Sequence, residues 1–162
     1  MPHGVPHLVW ILYFIAHLRR LKAMSHTLKT CIKQAIKRKG LTCGMAPCGE
    51  LLHTHPGTVM FCILPRTHNV SVHIHQMLIQ AFCRENNIII IELDDEAKLD
   101  ALITKQTDRN RGVRVHGNPV DTSCVMLQYP KQGYGNNDKK LTEFYEEMMA
   151  MSYPMPHLTL PD

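Results

Sequence analysis

The stretch Val72–Leu93, VHIHQMLIQAFCRENNIIIIEL, decides the fold. Its first part predicts a long helix and its last part a buried strand. Val72, Ile74, Met77, Leu78, Ile79, Ala81, Phe82 and Cys83 are the apolar residues of that helix. At ~100° per residue they cover an arc wider than the stripe of roughly 100° that one packed face needs. Gln76, Gln80 and Arg84, spaced i, i+4, i+8, form the clearly wet stripe. Glu85-Asn86-Asn87 ends the helix, because asparagine tolerates the left-handed C-terminal conformation. Ile88–Ile91 is a continuous β-branched run, the pattern of a strand covered on both faces. The unit can thus be buried on more than one side, and the periodicity leaves open what covers the extra side.

The chain around it has 162 residues, a one-domain length. An apolar fraction of 44% and a charged fraction of 20% suffice for a buried core. A net charge of +4 falls well short of the strongly cationic footprint of a dedicated nucleic-acid binder. Of the six cysteines, Cys31, Cys62, Cys83 and Cys124 lie in apolar helix or strand patterns, where a free thiol acts as a small hydrophobe. No cleavable leader pattern points to an oxidising compartment, so the cysteines read as reduced thiols of an intracellular protein.

The N-terminal segment, residues 1–24, stands apart as an extension. Its apolar run Val5–Leu18 is shorter than the ~20 residues that span a bilayer. Arg19, Arg20 and Lys22 follow that run instead of preceding it, the wrong order for a cleaved signal. It reads as an appended or poorly ordered helix, with no membrane role. The domain proper reads as residues 25–162. Ser25 is a candidate N-cap, and Leu28, Cys31, Ile32, Ala35 and Ile36 recur at helical spacing up to Gly40, a candidate C-terminal cap. Lys29, Lys33 and Lys37 fall on the opposite face, a solvated stripe that doubles as a candidate basic contact face.

Beyond Gly40 the elements alternate. Leu41–Met45 predicts a short strand, Ala46–His53 a short helix and Val59–Leu64 a buried strand. After the central helix and strand, Asp94 or Asp95 caps a helix carrying Ala97, Leu99, Ala101, Leu102 and Ile103, with the carboxylates at the positive end of its dipole. Thr104–Thr122 reads as a polar surface loop. Ser123–Gln128 is a further strand, Lys139–Met151 a helix, and Met155–Leu160 a last strand between prolines, which suits a sheet edge. This alternation predicts a three-layer α/β/α sandwich with a mixed sheet of four to five strands.

Active-site patterns are missing. Gly133-Tyr134-Gly135 lacks the third glycine of a dinucleotide turn. Cys43 and Cys48 have no matching second pair for zinc, and His73 and His75, at i, i+2 on a helix, point away from each other. No residue is assigned a catalytic, cofactor-binding or metal-binding role.

Three motifs carry a family resemblance: Gly57–Pro65 (GTVMFCILP), the central stretch, and Ala97–Leu102 (AKLDAL). Together they resemble the growth arrest and DNA-damage-inducible family of small stress-response regulators. Ile74–Ile88, IHQMLIQAFCRENNI, is the specific part, with its Ile-His pair, its Leu-Ile-Gln-Ala-Phe-Cys core and its Glu-Asn exit. Gly40–Met45 is similar to the family's first strand, and Pro156–Pro161 to its closing one.

The resemblance implies an α/β/α fold related to the ribosomal-protein superfamily that binds kinked RNA, and no enzymatic activity. It implies action by contact in nucleus and cytoplasm: homodimerisation, activation of a MAP kinase kinase kinase, and engagement of a cell-cycle kinase or the replication clamp, with effects on growth arrest and apoptosis. Carried over by motif, it places the dimer or partner surface at Ile74, Met77, Leu78 and Ala81, with Leu51 and Leu52 as helpers. Two departures stand out. Where vertebrate members carry an acidic run after the second strand, this chain reads Pro65-Arg66-Thr67-His68-Asn69. Where the RNA-binding relatives carry an Asn-Glu pair, it reads Ala46-Pro47-Cys48-Gly49-Glu50, so the alternative, an RNA-binding module, lacks its contact residues.

Overall fold

A computed structural model describes residues 6–111, 120–151 and 155–162, with only the backbone for 108–111. Five strands form one mixed sheet: β1 (Leu41–Cys43), β2 (Val59–Pro65), β3 (Ile89–Leu93), β4 (Val125–Gln128) and β5 (His157–Leu158), in the order β1-β4-β2-β3-β5. β4 runs antiparallel to β1 and β2, while β3 runs parallel to β2 and β5. The helices are α1 (His7–Lys37), α2 (Met45–Thr54), α3 (Val70–Glu85), α4 (Glu96–Arg111) and α5 (Asn136–Ala150). The α/β architecture and the mixed five-stranded sheet are those expected.

Alternation along the strands sorts the core into two clusters. On one face Phe61, Ile63, Ile91, Val125 and Leu127 meet Leu28, Ile32, Leu99, Ile103, Phe144 and Tyr145 from α1, α4 and α5. On the other, Cys62, Leu64, Cys124 and Met126 meet Cys48 and Leu52 of α2 and Cys83 of α3. A register shift between Val59 and Phe61 breaks the alternation, so Val59 joins the Cys62 face.

Several expectations are corrected. α1 is one helix from His7 to Lys37, with no break at residue 24. Ser25 therefore caps nothing: it lies mid-helix and its hydroxyl donates to the Leu21 carbonyl at 2.9 Å. Leu21 and Met24 already pack on the core, so the contribution of α1 to the domain begins before residue 25. The first buried residue of α1 is nevertheless Ser25, and Leu8, Leu12, Phe14 and Leu18 stand exposed on the turns before it. Residues 1–5 lie outside the described residues. The left-handed residue after α1 is Lys39, at φ 58°, and not Gly40; the Gly40 N–H closes the helix end on the Ala35 carbonyl at 2.8 Å.

α4 continues to Arg111, so Thr104–Arg111 is helical where a loop was expected; 112–119 lie outside the described residues. Asp95 starts that helix as read, its Oδ1 accepting the Ala97 N–H at 2.9 Å. β3 is less enclosed than its isoleucines suggest. β5 pairs with it only at Glu92 and Leu93, and Ile89 and Ile90 are half-buried. Among the described residues, no helix is long and apolar enough to cross a membrane.

Candidate functional site

α3 begins two residues earlier than the periodicity suggests. Asn69 is its N-cap, with Oδ1 accepting the Val72 N–H at 3.2 Å, while the Asn69 N–H donates to Thr67 Oγ1 at 3.1 Å. At the other end Asn87 takes the left-handed conformation, φ 56°, and Asn86 Nδ2 donates back to the Phe82 carbonyl.

The face that α3 turns to the sheet is the stripe read as wet. Gln76 is buried, and its amide donates to the Pro65 carbonyl and to the Ser123 carbonyl, each at 2.9 Å. One amide thereby satisfies two main-chain acceptors, at the end of β2 and before β4, that water cannot reach. Gln80, half-buried, donates to Glu92 Oε1 at 3.4 Å. Cys83 is fully buried and Ile79 packs beside it. Only Arg84 of the stripe is exposed.

With that face inward, the apolar arc points out. Ile74 is 53% exposed, Met77 56% and Leu78 66%, and Ala81 is exposed beside them. The structure therefore gathers all four residues of the expected surface on one open helix face. It adds Val70, 73% exposed, and Phe82, 37% exposed. Val70 escaped the sequence reading because the helix start was set after it; Asn69, a good N-cap residue, was the signal that could have found it. These large apolar side chains are contiguous along the helix rather than scattered singly.

The two helpers separate. Leu51 is half-buried and packs at the margin of the α2–α3 core. Leu52 is a correction: at 2% exposure it is a core residue on the inner side of α2 and offers no surface.

The lysine stripe is also split. Lys37 is exposed, while Lys29 Nζ donates to the Asp162 carbonyl at 3.0 Å. Lys29 and Lys33 join Lys98 and Lys105 of α4 around a hollow of about 230 Å³, into which Asp162 reaches, its carboxylate 3.3 Å from Lys98 Nζ. Two of these four cations are thus already engaged within the chain.

Among the described residues, no group of three or more His, Cys, Asp or Glu is arranged to hold a metal ion. At the start of α2, burial raises the carboxyl of Asp121, but bonds from the Ser123 hydroxyl, the Ser123 N–H and the Met45 N–H outweigh it and leave the group below its ordinary value. Asp121 thus fastens α2 to the entry of β4 and belongs to the scaffold of the site.

No family model matches the chain. Individual curated proteins do. The chain is 28% identical over 149 residues to growth arrest and DNA damage-inducible protein GADD45 gamma of Bos taurus, covering 88% of this chain and 89% of that protein. The Homo sapiens GADD45 gamma matches to the same extent. GADD45 alpha of Homo sapiens is 27% identical over 150 residues, covering 88% of this chain and 91% of that one. The similarity runs through nearly the whole of both proteins, and over that length the chain is similar to growth arrest and DNA damage-inducible proteins.

Proposed function

We propose that this protein is a non-enzymatic regulator of the DNA-damage stress response that acts by contact in nucleus and cytoplasm. It pairs with a second copy of itself through α3 and binds and activates a MAP kinase kinase kinase, with effects on cell cycle and apoptosis. A cell-cycle kinase or the replication clamp is a further partner of the same kind. The observation that supports this reading is the open face of Ile74, Met77, Leu78 and Ala81, on a helix whose polar stripe is turned inward. Such a face is self-complementary about a two-fold axis, where an apolar row on one copy meets the same row on the other. Activation then follows if the dimer prefers the open form of an autoinhibited kinase, which shifts its population. The loop after β2 carries Arg66 and no carboxylate, so a partner surface facing it would be acidic.

The test is light scattering of the full chain across a concentration series, with Leu78→Glu beside wild type. A charge at the centre of the apolar row should weaken self-association at least about tenfold and reduce capture of the kinase. Unchanged mass and unchanged kinase binding in Leu78→Glu would end this reading.

A further inference from the structure

The first turns of α1 carry apolar side chains that the two core clusters do not use. The helix is continuous from His7 to Lys37, yet among the described residues neither cluster draws on it before Leu21. Leu8, Val9, Ile11, Leu12, Tyr13 and Phe14 are all exposed. At ~100° per residue these six point to every side of the helix axis. They form no stripe, unlike the apolar row of α3, and residues 8–16 include no charged side chain. A helix that is apolar all round is matched by a surrounding hydrocarbon medium. A single partner helix would cover one seam of it and leave the other sides wet.

Charge identifies the medium. No Asp or Glu precedes Glu50, so α1 carries no carboxylate anywhere along its length. Arg19, Arg20 and Lys22 follow the apolar turns directly. Arg20 is engaged within the chain, ion-paired with Glu147 of α5 and lying over the Phe144 ring at 5.1 Å. Arg19 and Lys22 are exposed and make no ion pair among the described residues. Apolar turns followed by free cations, with no carboxylate to repel anionic headgroups, suit the boundary of an anionic bilayer. Residues 8–18 measure ~15 Å along the axis, half the ~30 Å of a hydrocarbon core. That is too short to cross a bilayer, but entry into one leaflet sets no such length. Trp10 and Tyr13 are ring types that settle at the headgroup level, which fits a tilted, shallow entry.

We propose that the first turns of α1 dock this protein reversibly on an anionic lipid surface. Residues 8–18 enter the boundary between headgroups and acyl chains of one leaflet, and Arg19 and Lys22 meet the lipid phosphates and carboxylates. α1 packs on the sheet face opposite to that of α3, so lipid docking leaves the exposed row of α3 free for its own partner.

The test is flotation of the full chain with vesicles of phosphatidylcholine, with and without about a third of phosphatidylserine. Aggregated protein stays at the bottom of the gradient and does not imitate binding. Wild type should rise with the anionic vesicles and bind neutral ones at least about tenfold less, and salt at about 0.5 M should weaken the anionic binding. Leu12→Glu and Phe14→Glu, both at exposed positions and checked for native circular dichroism, should abolish flotation. Arg19→Glu combined with Lys22→Glu should weaken binding to anionic vesicles at least about tenfold and leave the neutral background unchanged. The proposal is overturned if wild type stays at the bottom with anionic vesicles at low salt, or if Leu12→Glu and Phe14→Glu float as wild type does. It is equally overturned if Leu78→Glu abolishes flotation while Leu12→Glu does not, which would place the lipid on α3. A Leu12→Glu variant that floats unchanged but has a lower mass in solution would overturn it too, marking a second copy as the occupant.

Discussion

Gln76 is the residue whose removal should cost most for its size. Its amide holds the Pro65 and Ser123 carbonyls at 2.9 Å inside the α3–sheet seam, and no other side chain described there replaces it. Gln76→Leu strands both acceptors away from water and should lower stability by roughly 2 kcal/mol, read as a lower urea midpoint at unchanged slope. Gln80→Leu, at the half-buried rim, should cost well under half of that. Asp121 is a second diagnostic position. Its folded pKa lies below the unfolded value, so its contribution is complete above the ordinary 3.8 and disappears as pH falls through the folded value. Asp121→Asn should flatten the acid limb of the stability–pH curve below about pH 4, measured by urea titration at a series of pH values. Neither role was legible in the sequence. A glutamine on a helix is ordinarily solvated, and polarity alone assigned Gln76, Gln80 and Arg84 to the outside. The inward turn is dictated by two main-chain carbonyls contributed by segments 11 and 47 residues away, which no local pattern contains.

Elements were read well wherever burial imposed a period. β2, α3, α5 and the edge position of β5 follow from apolar spacing, prolines and asparagines. α4 was cut short because Thr104–Arg111 has no apolar stripe; it holds its helical form behind Leu99, Leu102, Ile103 and the buried Gln106. α1 was divided at Ser25 because a good capping residue there met a composition change, yet a serine hydroxyl bonded to the carbonyl four residues back sits comfortably inside a helix. The wide apolar arc of α3 was the most informative element feature. Read as a helix covered on more than one side, it is observed as a helix covered by its polar stripe and open on its apolar one. The prediction at this scale concerns α2. If it opens ahead of the sheet, amide hydrogen exchange at Leu51 and Leu52 should be faster, by at least about tenfold, than at Phe61–Ile63 of β2.

At the scale of the whole molecule, stability resides in the sheet and the two clusters that sandwich it. Leu28 of α1 is fully buried against the sheet. Leu28→Ala should cost about 3 kcal/mol, whereas removing residues 1–18, which include no buried side chain among those described, should leave the urea midpoint nearly unchanged. The alternation of elements made the sandwich legible. The order β1-β4-β2-β3-β5 was not, because strand neighbours are chosen by long-range packing of segments that look alike in isolation. The early turns of α1 also hold the only tryptophan of the chain, Trp10, edge-on to Tyr13 at 6.1 Å and remote in sequence from every residue of either core cluster. Emission on excitation at the red edge will therefore report first on those turns. Denaturation followed by that signal would weight the start of α1 over the sheet, and a blue shift in it would reveal that something has come to lie over the exposed leucines around it.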